Sequence, residues 1–385
     1  MFLAVRSLSF QRGRFALVGL VISLLALLTV MLSGLATGLV NDGVSGLKGL
    51  PVSAFAFESG IQTDNAFSRS VVDKGQRDTW AGQTGIDQAE LFGVSIVNTT
   101  SDTGEDIDLT LFGVEPDSFL LPKLGDGEQV GSVDGVVLSR TAADDGVKVG
   151  DTLTLDRVGT TLRVVGFTDK QDTFGHVDVG YLPLATWQYI ASGMSAAGAP
   201  TDASVAAGAI DTASAIALRT ADGGSLESAG VDVTAADEAA HTTTLSLTKA
   251  FGASPGYTAE TATISLIQVF LYVITALVIG AFFTVWTVQR QHELAVLRAV
   301  GTPTGFLLRD GIAQAGFLLT AFTAVGVVVG LGFAAIMPAE APFAIEAVPV
   351  VSAGLAMIIL GLIGASLAVL RIARIEPATA LGGQR

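Results

Sequence analysis

Four long stretches of this sequence contain no charged residue, and they constrain the fold more than any other feature. Each has at least the roughly 20 residues that an α-helix needs to cross about 30 Å of hydrocarbon. The four are Phe15–Leu39, Ile264–Val288, Ile312–Met337 and Val348–Leu370. Half of the 385 residues are apolar, which is high for a soluble enzyme. The sequence therefore predicts a membrane protein with four transmembrane helices.

The first stretch has a second interpretation, a cleaved signal peptide. Arg6, Arg12 and Arg14 precede it, and small residues such as Ala36 and Gly38 close it. However, the apolar region of a signal peptide typically has only about 7 to 15 residues. We therefore expect this segment to be retained as a membrane anchor.

The basic residues predict the orientation. Of the 21 lysines and arginines, the nine outside residues 40–263 lie before the first span, after the second or after the fourth. The loop 338–347 has none and carries Glu340 and Glu346. Short loops rich in Lys and Arg face the cytoplasm. Both termini and the loop 289–311 are thus predicted to be cytoplasmic, with residues 40–263 outside the cell.

The outer segment 40–263 is long enough to fold around its own core. It contains 31 acidic and 12 basic residues, a net charge of −19, which makes nucleic acid an unsuitable partner. The chain has no cysteine, so disulfides, thiolate metal sites and a cysteine nucleophile are excluded.

Local patterns indicate a mixed α/β fold for this outer domain. Residues Gly135–Lys170 contain a short apolar run, a helix-like segment, and two β-type runs, Thr152–Asp156 and Thr161–Phe167, with a turn at Gly159. Residues Ser192–Gly230 are rich in Ala, Ser, Gly and Thr. We expect them to form a loose, flexible lobe.

Three segments flank the spans on the predicted cytoplasmic side. Residues 1–14 are amphipathic and basic, and 371–385 form a basic tail. The sequence 289–301 suits an amphipathic helix that ends at Gly301. Each segment on its own is also compatible with a plain solvated flank.

Considered together, "RQHELAVLRAVG" after the second span, "RIARIEPATALGG" after the fourth and "GVKVGDTLTL…LRVVGF" outside resemble the FtsX/MacB-like family of ABC transporter permeases. The resemblance implies a homodimer that works with two copies of a separate ATPase. It also implies that 290–301 is the coupling helix that contacts this ATPase, through Arg290, His292, Glu293, Leu294, Leu297 and Arg298. The chain lacks the phosphate-binding pattern G-x-x-x-x-G-K-[ST], so we expect no ATPase activity of its own.

Glycine pairs supply close helix packing. Gly34 and Gly38 in the first span and Gly326 and Gly330 in the third form G-x-x-x-G patterns. Packing within the subunit and a role in the dimer interface are both compatible with them.

The segment "PGYTAETATI", residues 255–264, suggests a substrate. With this lead-in to the second span, the chain resembles the membrane subunits of bacterial haem exporters. The resemblance implies that haem, the transported substrate rather than a resident cofactor, is extracted from the membrane lipid. Glu260 is then the candidate ligand of the haem iron, with Tyr257 second. Phe270, Tyr272, Met31, Leu35 and Leu39 are candidate apolar lining residues.

Other polar residues have plainer interpretations. A carboxylate such as Glu260 in the first turn of a helix is also favoured by the helix dipole alone. The three histidines, His176, His241 and His292, lack metal-ligand spacing and are interpreted as surface residues. The spacing of four acidic residues departs from that of a calcium-binding loop, so they are interpreted as part of a solvated loop. They are Asp102, Glu105, Asp106 and Asp108.

Two alternatives to haem export remain open. One is a signal relay that resembles FtsX, in which the coupling helix transmits ATPase motion to activate a cell-wall hydrolase. The other is a MacB-like exporter of lipoprotein, peptide or antibiotic. All three place the chain in the bacterial plasma membrane.

Overall fold

The computed structural model describes residues 12–102, 104–208, 210–289, 296, 300–338 and 341–370. The chain divides into two compact units. One is the outer domain, Val40–Glu260, and the other is a helical unit formed by Met1–Leu39 and Thr261–Arg385. The predicted coupling residues Arg290, His292, Glu293, Leu294, Leu297 and Arg298 lie outside the described residues, as do the segments 1–11 and 371–385.

The described helices are α1 (Arg12–Lys48), α2 (Ala66–Arg69), α3 (Lys74–Ala81), α4 (Arg140–Asp144), α5 (Leu184–Ala191), α6 (Asp202–Gly208), α7 (Val233–Ala240), α8 (Leu247–Ala250), α9 (Tyr257–Gln289), α10 (Thr304–Ala334) and α11 (Ala347–Leu370). The strands are β1 (Ala54–Glu58), β2 (Val72–Asp73), β3 (Gln88–Ser101), β4 (Asp106–Val114), β5 (Leu124–Gly127), β6 (Gly135–Leu138), β7 (Thr152–Leu155), β8 (Thr161–Thr168), β9 (Thr173–Phe174), β10 (Val177–Pro183), β11 (Thr212–Ala213), β12 (Ala215–Arg219) and β13 (Thr242–Ser246).

Among the described residues, four helices are long and apolar enough to cross a membrane: α1, α9, α10 and α11. This confirms the predicted four-helix membrane architecture. Two of these membrane helices, α1 and α9, extend beyond the apolar stretches from which they were predicted. Helix α1 reaches Lys48, with a break at Val44 (φ −147°), and α9 begins at Tyr257.

Close packing in the helical unit depends on glycine. A Cβ atom on Gly326 of α10 would lie 2.3 Å from the Ser23 carbonyl oxygen of α1, and one on Gly330 would lie 3.0 Å from Val30. The hydroxyl of Ser23 donates to the Phe322 carbonyl at 2.9 Å. Gly34 and Gly38 of α1 approach Phe343 and Pro342 in the same way. All four predicted glycines therefore pack within the subunit.

The outer domain is built on one large mixed sheet with the strand order β13-β1-β12-β3-β4-β10-β6-β8-β5. Strand β7 pairs with β3 and β8, and β9 pairs with β10. Alternate side chains point to opposite faces, so that each face has its own apolar core. One of these cores is rich in phenylalanine. The α/β prediction is confirmed, including strands β6, β7 and β8, helix α4 and the turn at Gly159 (φ +68°).

The prediction of a loose lobe at Ser192–Gly230 is wrong for β12. Ala215–Arg219 forms an inner strand that pairs with β1 on one side and with β3 on the other. Its residues Ile216 and Leu218 are fully buried. The alanines that suggested a loose segment instead fit between closely packed neighbours. Helix α6 and strand β11 also lie in this region.

Candidate substrate site

A tight turn between β9 and β10 forms the centre of the site. Phe174 pairs with Val177, so that the turn consists of Gly175 and His176 alone. Both have positive φ, +63° and +66°, as a type I′ hairpin turn requires. For a residue with a Cβ atom, this left-handed conformation costs roughly 1–2 kcal/mol. His176 is therefore held in this conformation by its surroundings.

Two sets of contacts fix the turn in place. On one side, Phe174 is fully buried against Phe67 and Phe112 in the aromatic core, with ring centroids 5.5 and 5.7 Å away. On the other side, the N–H of Gly175 donates to the carbonyl of Gly43 at 2.9 Å. Gly43 directly precedes the helix break at Val44, so its carbonyl is available to a partner outside the helix.

The end of α1 is attached to the same hairpin by side chains. The N–H of Thr173 donates to Ser45 Oγ at 2.8 Å. The amide of Gln171 donates to Asp42 Oδ1 at 3.2 Å. These contacts leave the second oxygen of the Asp42 carboxylate facing the turn.

The His176 ring lies between two carboxylates. Its Nδ1 is 2.9 Å from Asp42 Oδ2. Its Nε2 is 3.0 Å from both Oε1 and Oε2 of Glu260. The side chains of Asp42, His176 and Glu260 are 29%, 30% and 39% exposed, so that the group is accessible from solvent.

Two acceptors of this kind favour the protonated ring. Burial alone would lower the pKa of His176. The hydrogen bond to Asp42 and the charge of Glu260 together outweigh burial and raise the pKa above its usual value. Both ring nitrogens then act as donors, Nδ1–H to Asp42 and Nε2–H to Glu260.

Glu260 reaches His176 from the first turn of α9. Its N–H donates to the carbonyl of Gly256 at 3.0 Å. Gly256 has a left-handed backbone (φ +79°), and a Cβ atom there would lie 3.0 Å from Glu260 Oε1. Glycine at this position therefore leaves room for the carboxylate to fold back toward the turn. Nearby, the Tyr257 ring packs edge-on against Phe251, at 6.1 Å between centroids.

An acidic cleft of about 660 Å³ opens beside the His176 ring. Asp42 and His176 belong to its lining, together with Glu105, Asp106, Asp108, Asp145 and Asp178. The lining contains no lysine or arginine among the described residues. Burial raises the pKa of Asp178, although the hydroxyl of Thr141 donates a hydrogen bond to its carboxylate. The predicted solvated loop is only partly correct, because Asp106 and Asp108 lie in strand β4.

The predicted site residues fall in both units. Glu260 and Tyr257 share the first turn of α9, and Glu260 contacts His176, whose ring also contacts Asp42; the sequence did not single out either residue as a partner. His176 is partly exposed, as expected of a surface residue, but its ring is hydrogen-bonded between two carboxylates, which the sequence did not predict. His241 is exposed at the end of α7, and His292 lies outside the described residues. Met31, Leu35, Leu39, Phe270 and Tyr272 belong to the helical unit.

The described residues contain no group of three or more His, Cys, Asp or Glu side chains arranged to hold a metal ion. In the trio described above, both ring nitrogens are directed at carboxylates. The arrangement is therefore a hydrogen-bonded chain rather than a chelating site.

Comparison with known proteins agrees with this architecture. Residues 15–236, more than half of the chain, match the model of the MacB-like periplasmic core domain. Residues 265–377 match that of the FtsX-like permease C-terminal region. The chain belongs to the FtsX/MacB-like permease family. It is a multi-pass membrane protein of the ABC transporter permease class, which implies a partner ATPase.

Relatives named for hemin transport match this permease over nearly its full length. The protein named as permease HrtB of a hemin transport system in Staphylococcus haemolyticus is 25% identical over 385 residues, 99% of both chains. Its namesake in Staphylococcus epidermidis is 23% identical over 381 residues, again 99% of both. An uncharacterised ABC transporter permease of Mycobacterium tuberculosis is 30% identical over 123 residues, 31% of this chain and 34% of its own.

Two solved structures resemble the permease. One is the periplasmic region of MacB from Actinobacillus actinomycetemcomitans, with 14% identity, a TM-score of 0.36, and coverage of 52% of this chain and 92% of its own. The other is the extracellular domain of the ABC-type transporter YknZ from Gram-positive bacteria, with 15% identity, a TM-score of 0.34, and coverage of 50% and 98%.

Proposed function

We propose that this permease exports haem, taking it from the membrane and expelling it with ATP hydrolysed by a separate subunit. The observation that carries the proposal is the Glu260 carboxylate, 39% exposed at the start of the apolar helix α9. The full-length relatives named for hemin transport support the choice of substrate.

Glu260 suits the chemistry of ferric haem. Ferric haem iron binds anionic oxygen ligands, of which the tyrosine phenolate is an example. A carboxylate in the first turn of a hydrophobic span is costly to bury unless it is paired or coordinates a metal. Here it is paired with His176 and still partly exposed, so that a substrate can reach it.

Tyr257 is the weaker candidate. A tyrosine must lose its phenolic proton to bind ferric iron as an anion. The phenol of an ordinary tyrosine has a pKa of about 10, so the neutral form predominates near pH 7. We further propose that haem arrives from the lipid and that apolar side chains contact its flat porphyrin ring. The candidates are Met31, Leu35, Leu39, Phe270 and Tyr272.

The proposed assembly is a dimer of this chain with two copies of a cytoplasmic ABC ATPase. Both termini are cytoplasmic and the outer domain faces the cell exterior, as the distribution of Lys and Arg predicts. The permease contributes no nucleotide site, and residues 290–301 couple it to the ATPase. We place the complex in the bacterial plasma membrane.

ATPase activity of the reconstituted complex tests the proposal. We expect the permease alone to be inactive in lipid nanodiscs and the complex to hydrolyse ATP faster when ferric haem is added. A signal relay would show no response to haem. A MacB-like exporter would respond to a lipoprotein, peptide or antibiotic instead, and either result would contradict haem export.

A further inference from the structure

The contact between His176 and Glu260 involves both carboxylate oxygens, so that one hydrogen bond can remain when the other oxygen binds iron. Nε2 of His176 is equally distant, at 3.0 Å, from both carboxylate oxygens of Glu260. A carboxylate that binds iron through one oxygen leaves the other free to accept a hydrogen bond. His176 can therefore keep one oxygen while the other turns to the substrate.

The His176 ring is also held at Nδ1, the nitrogen that does not face Glu260. Asp42 Oδ2 accepts from Nδ1–H, and Gln171 fixes the other oxygen of Asp42. The backbone of the turn is fixed by the Gly175–Gly43 hydrogen bond and by the buried Phe174. The donor that faces Glu260 is therefore set by the folded outer domain and not by a freely rotating side chain.

The turn itself does not explain the histidine. Asparagine is favoured in a type I′ turn because it adopts the left-handed conformation more readily. It is too short, however, to donate simultaneously to Asp42 and Glu260, as the two nitrogens of the His176 ring do. The left-handed strain at His176 is thus associated with the bridge between two carboxylates.

We propose that His176 is a positioning residue, which orients the Glu260 carboxylate so that one oxygen is directed at the iron of the substrate haem. This inference rests on the proposed function, because it takes Glu260 as the ligand. It assigns to the outer domain a direct part in substrate binding. Partners that orient a metal ligand typically change affinity by about 10–100-fold when removed.

A double-variant cycle with ferric haem as the probe tests this role. The full-length permease is purified in nanodiscs as wild type, His176→Asn, Glu260→Gln and the double variant. We expect His176→Asn to retain its thermal stability to within a few degrees, since asparagine suits the turn. Its haem affinity should fall by roughly 10-fold, with a shifted Soret band. In the Glu260→Gln background, the same change should have no further effect.

His176→Gln is the conservative variant, because its side-chain amide reaches a position close to Nε2. It should recover part of the lost affinity and the wild-type band position. A purely structural histidine would lower affinity equally with and without Glu260, which would overturn the inference. Wild-type binding by His176→Asn, while Glu260→Gln loses the band, would overturn it but retain Glu260 as ligand. An unchanged spectrum in Glu260→Gln would overturn both.

Discussion

Both carboxylate oxygens of Glu260 lie 3.0 Å from Nε2 of His176. The two residues are 84 positions apart in the sequence, one in the first turn of α9 and the other in a β-hairpin turn. Their contact means that the candidate haem ligand is placed by the folding of the outer domain. Changes in that domain should therefore affect substrate binding.

Gly256 is predicted to be essential for the position of Glu260. In Gly256→Ala, the left-handed backbone (φ +79°) becomes strained, and the new Cβ lies 3.0 Å from Glu260 Oε1. We expect a loss of roughly 1–2 kcal/mol in stability together with a clear decrease in haem affinity. Thermal unfolding and a haem titration of the purified permease measure the two effects.

Gly60→Ala is the matched control. Gly60 has nearly the same φ, +77°, but a Cβ atom there would meet nothing within 4 Å. It should show the same backbone cost and normal haem affinity. Equal haem affinities in the two variants would contradict the role given to Gly256.

Glycine in α10 is predicted to set the spacing of the first and third spans. In Gly326→Val, the Cβ would lie 2.3 Å from the Ser23 carbonyl oxygen, and backbone cannot move aside as a side chain can. We expect a destabilisation of about 1–3 kcal/mol, seen as a lower melting temperature in detergent. Gly332→Val, on the same helix with open space around it, should melt like wild type. Indistinguishable melting of the two variants would disprove this packing.

Asp172 is predicted to make the outer domain less stable as pH rises. It is 4% exposed, and burial raises its pKa from 3.8 to about 6. The folded state binds the proton of Asp172 more tightly than the unfolded state does. The stabilising contribution of Asp172 is therefore complete below about pH 4 and disappears as pH rises through 6. The loss amounts to about 3 kcal/mol at 1.36 kcal/mol per pKa unit.

Fluorescence of the buried Trp80 and Trp187 reports unfolding of this domain in the full-length permease. In Asp172→Asn, the stability of the outer domain should depend less on pH between 4 and 7 than it does in the wild type. Asp222→Asn is a control of opposite sign. Hydrogen bonds from Gly224 and Thr220 lower the pKa of the exposed Asp222. The stabilising contribution of this carboxylate is therefore lost as pH falls, not as pH rises. A wild-type pH profile in Asp172→Asn would contradict the assignment.

The ATPase contact is predicted from sequence alone. Glu293→Ala combined with Leu297→Ala should weaken capture of the partner ATPase by the permease, because both residues belong to the proposed coupling helix. Haem binding should remain normal. Capture at wild-type strength in a pull-down would argue against residues 290–301 as the coupling segment.

Hydropathy and local patterns predicted the architecture well, because membrane helices are encoded by continuous apolar runs. The four spans and the segment from β6 to β8 followed from such patterns. Strand β12 did not, since alanine in Ala215–Arg219 is equally compatible with a mobile loop. Its burial depends on neighbours β1 and β3, which are distant in sequence.

The candidate site was predictable only in part. Glu260 stood out because it is a charge beside an apolar span. Its contact with His176 is long-range and left no periodic pattern in the sequence. The one available signal was Gly175 beside His176 between two β-type runs, which indicates a tight turn but not the direction of the ring.

The most direct test of the account is a titration of purified permease in nanodiscs with ferric haem, followed by absorption spectroscopy. We predict saturable binding by wild type with a Soret band typical of an oxygen ligand. In Glu260→Gln the band should be altered and binding weakened, while Tyr257→Phe should behave like wild type and both variants should still capture the ATPase. A wild-type spectrum and affinity in Glu260→Gln would contradict Glu260 as the haem ligand.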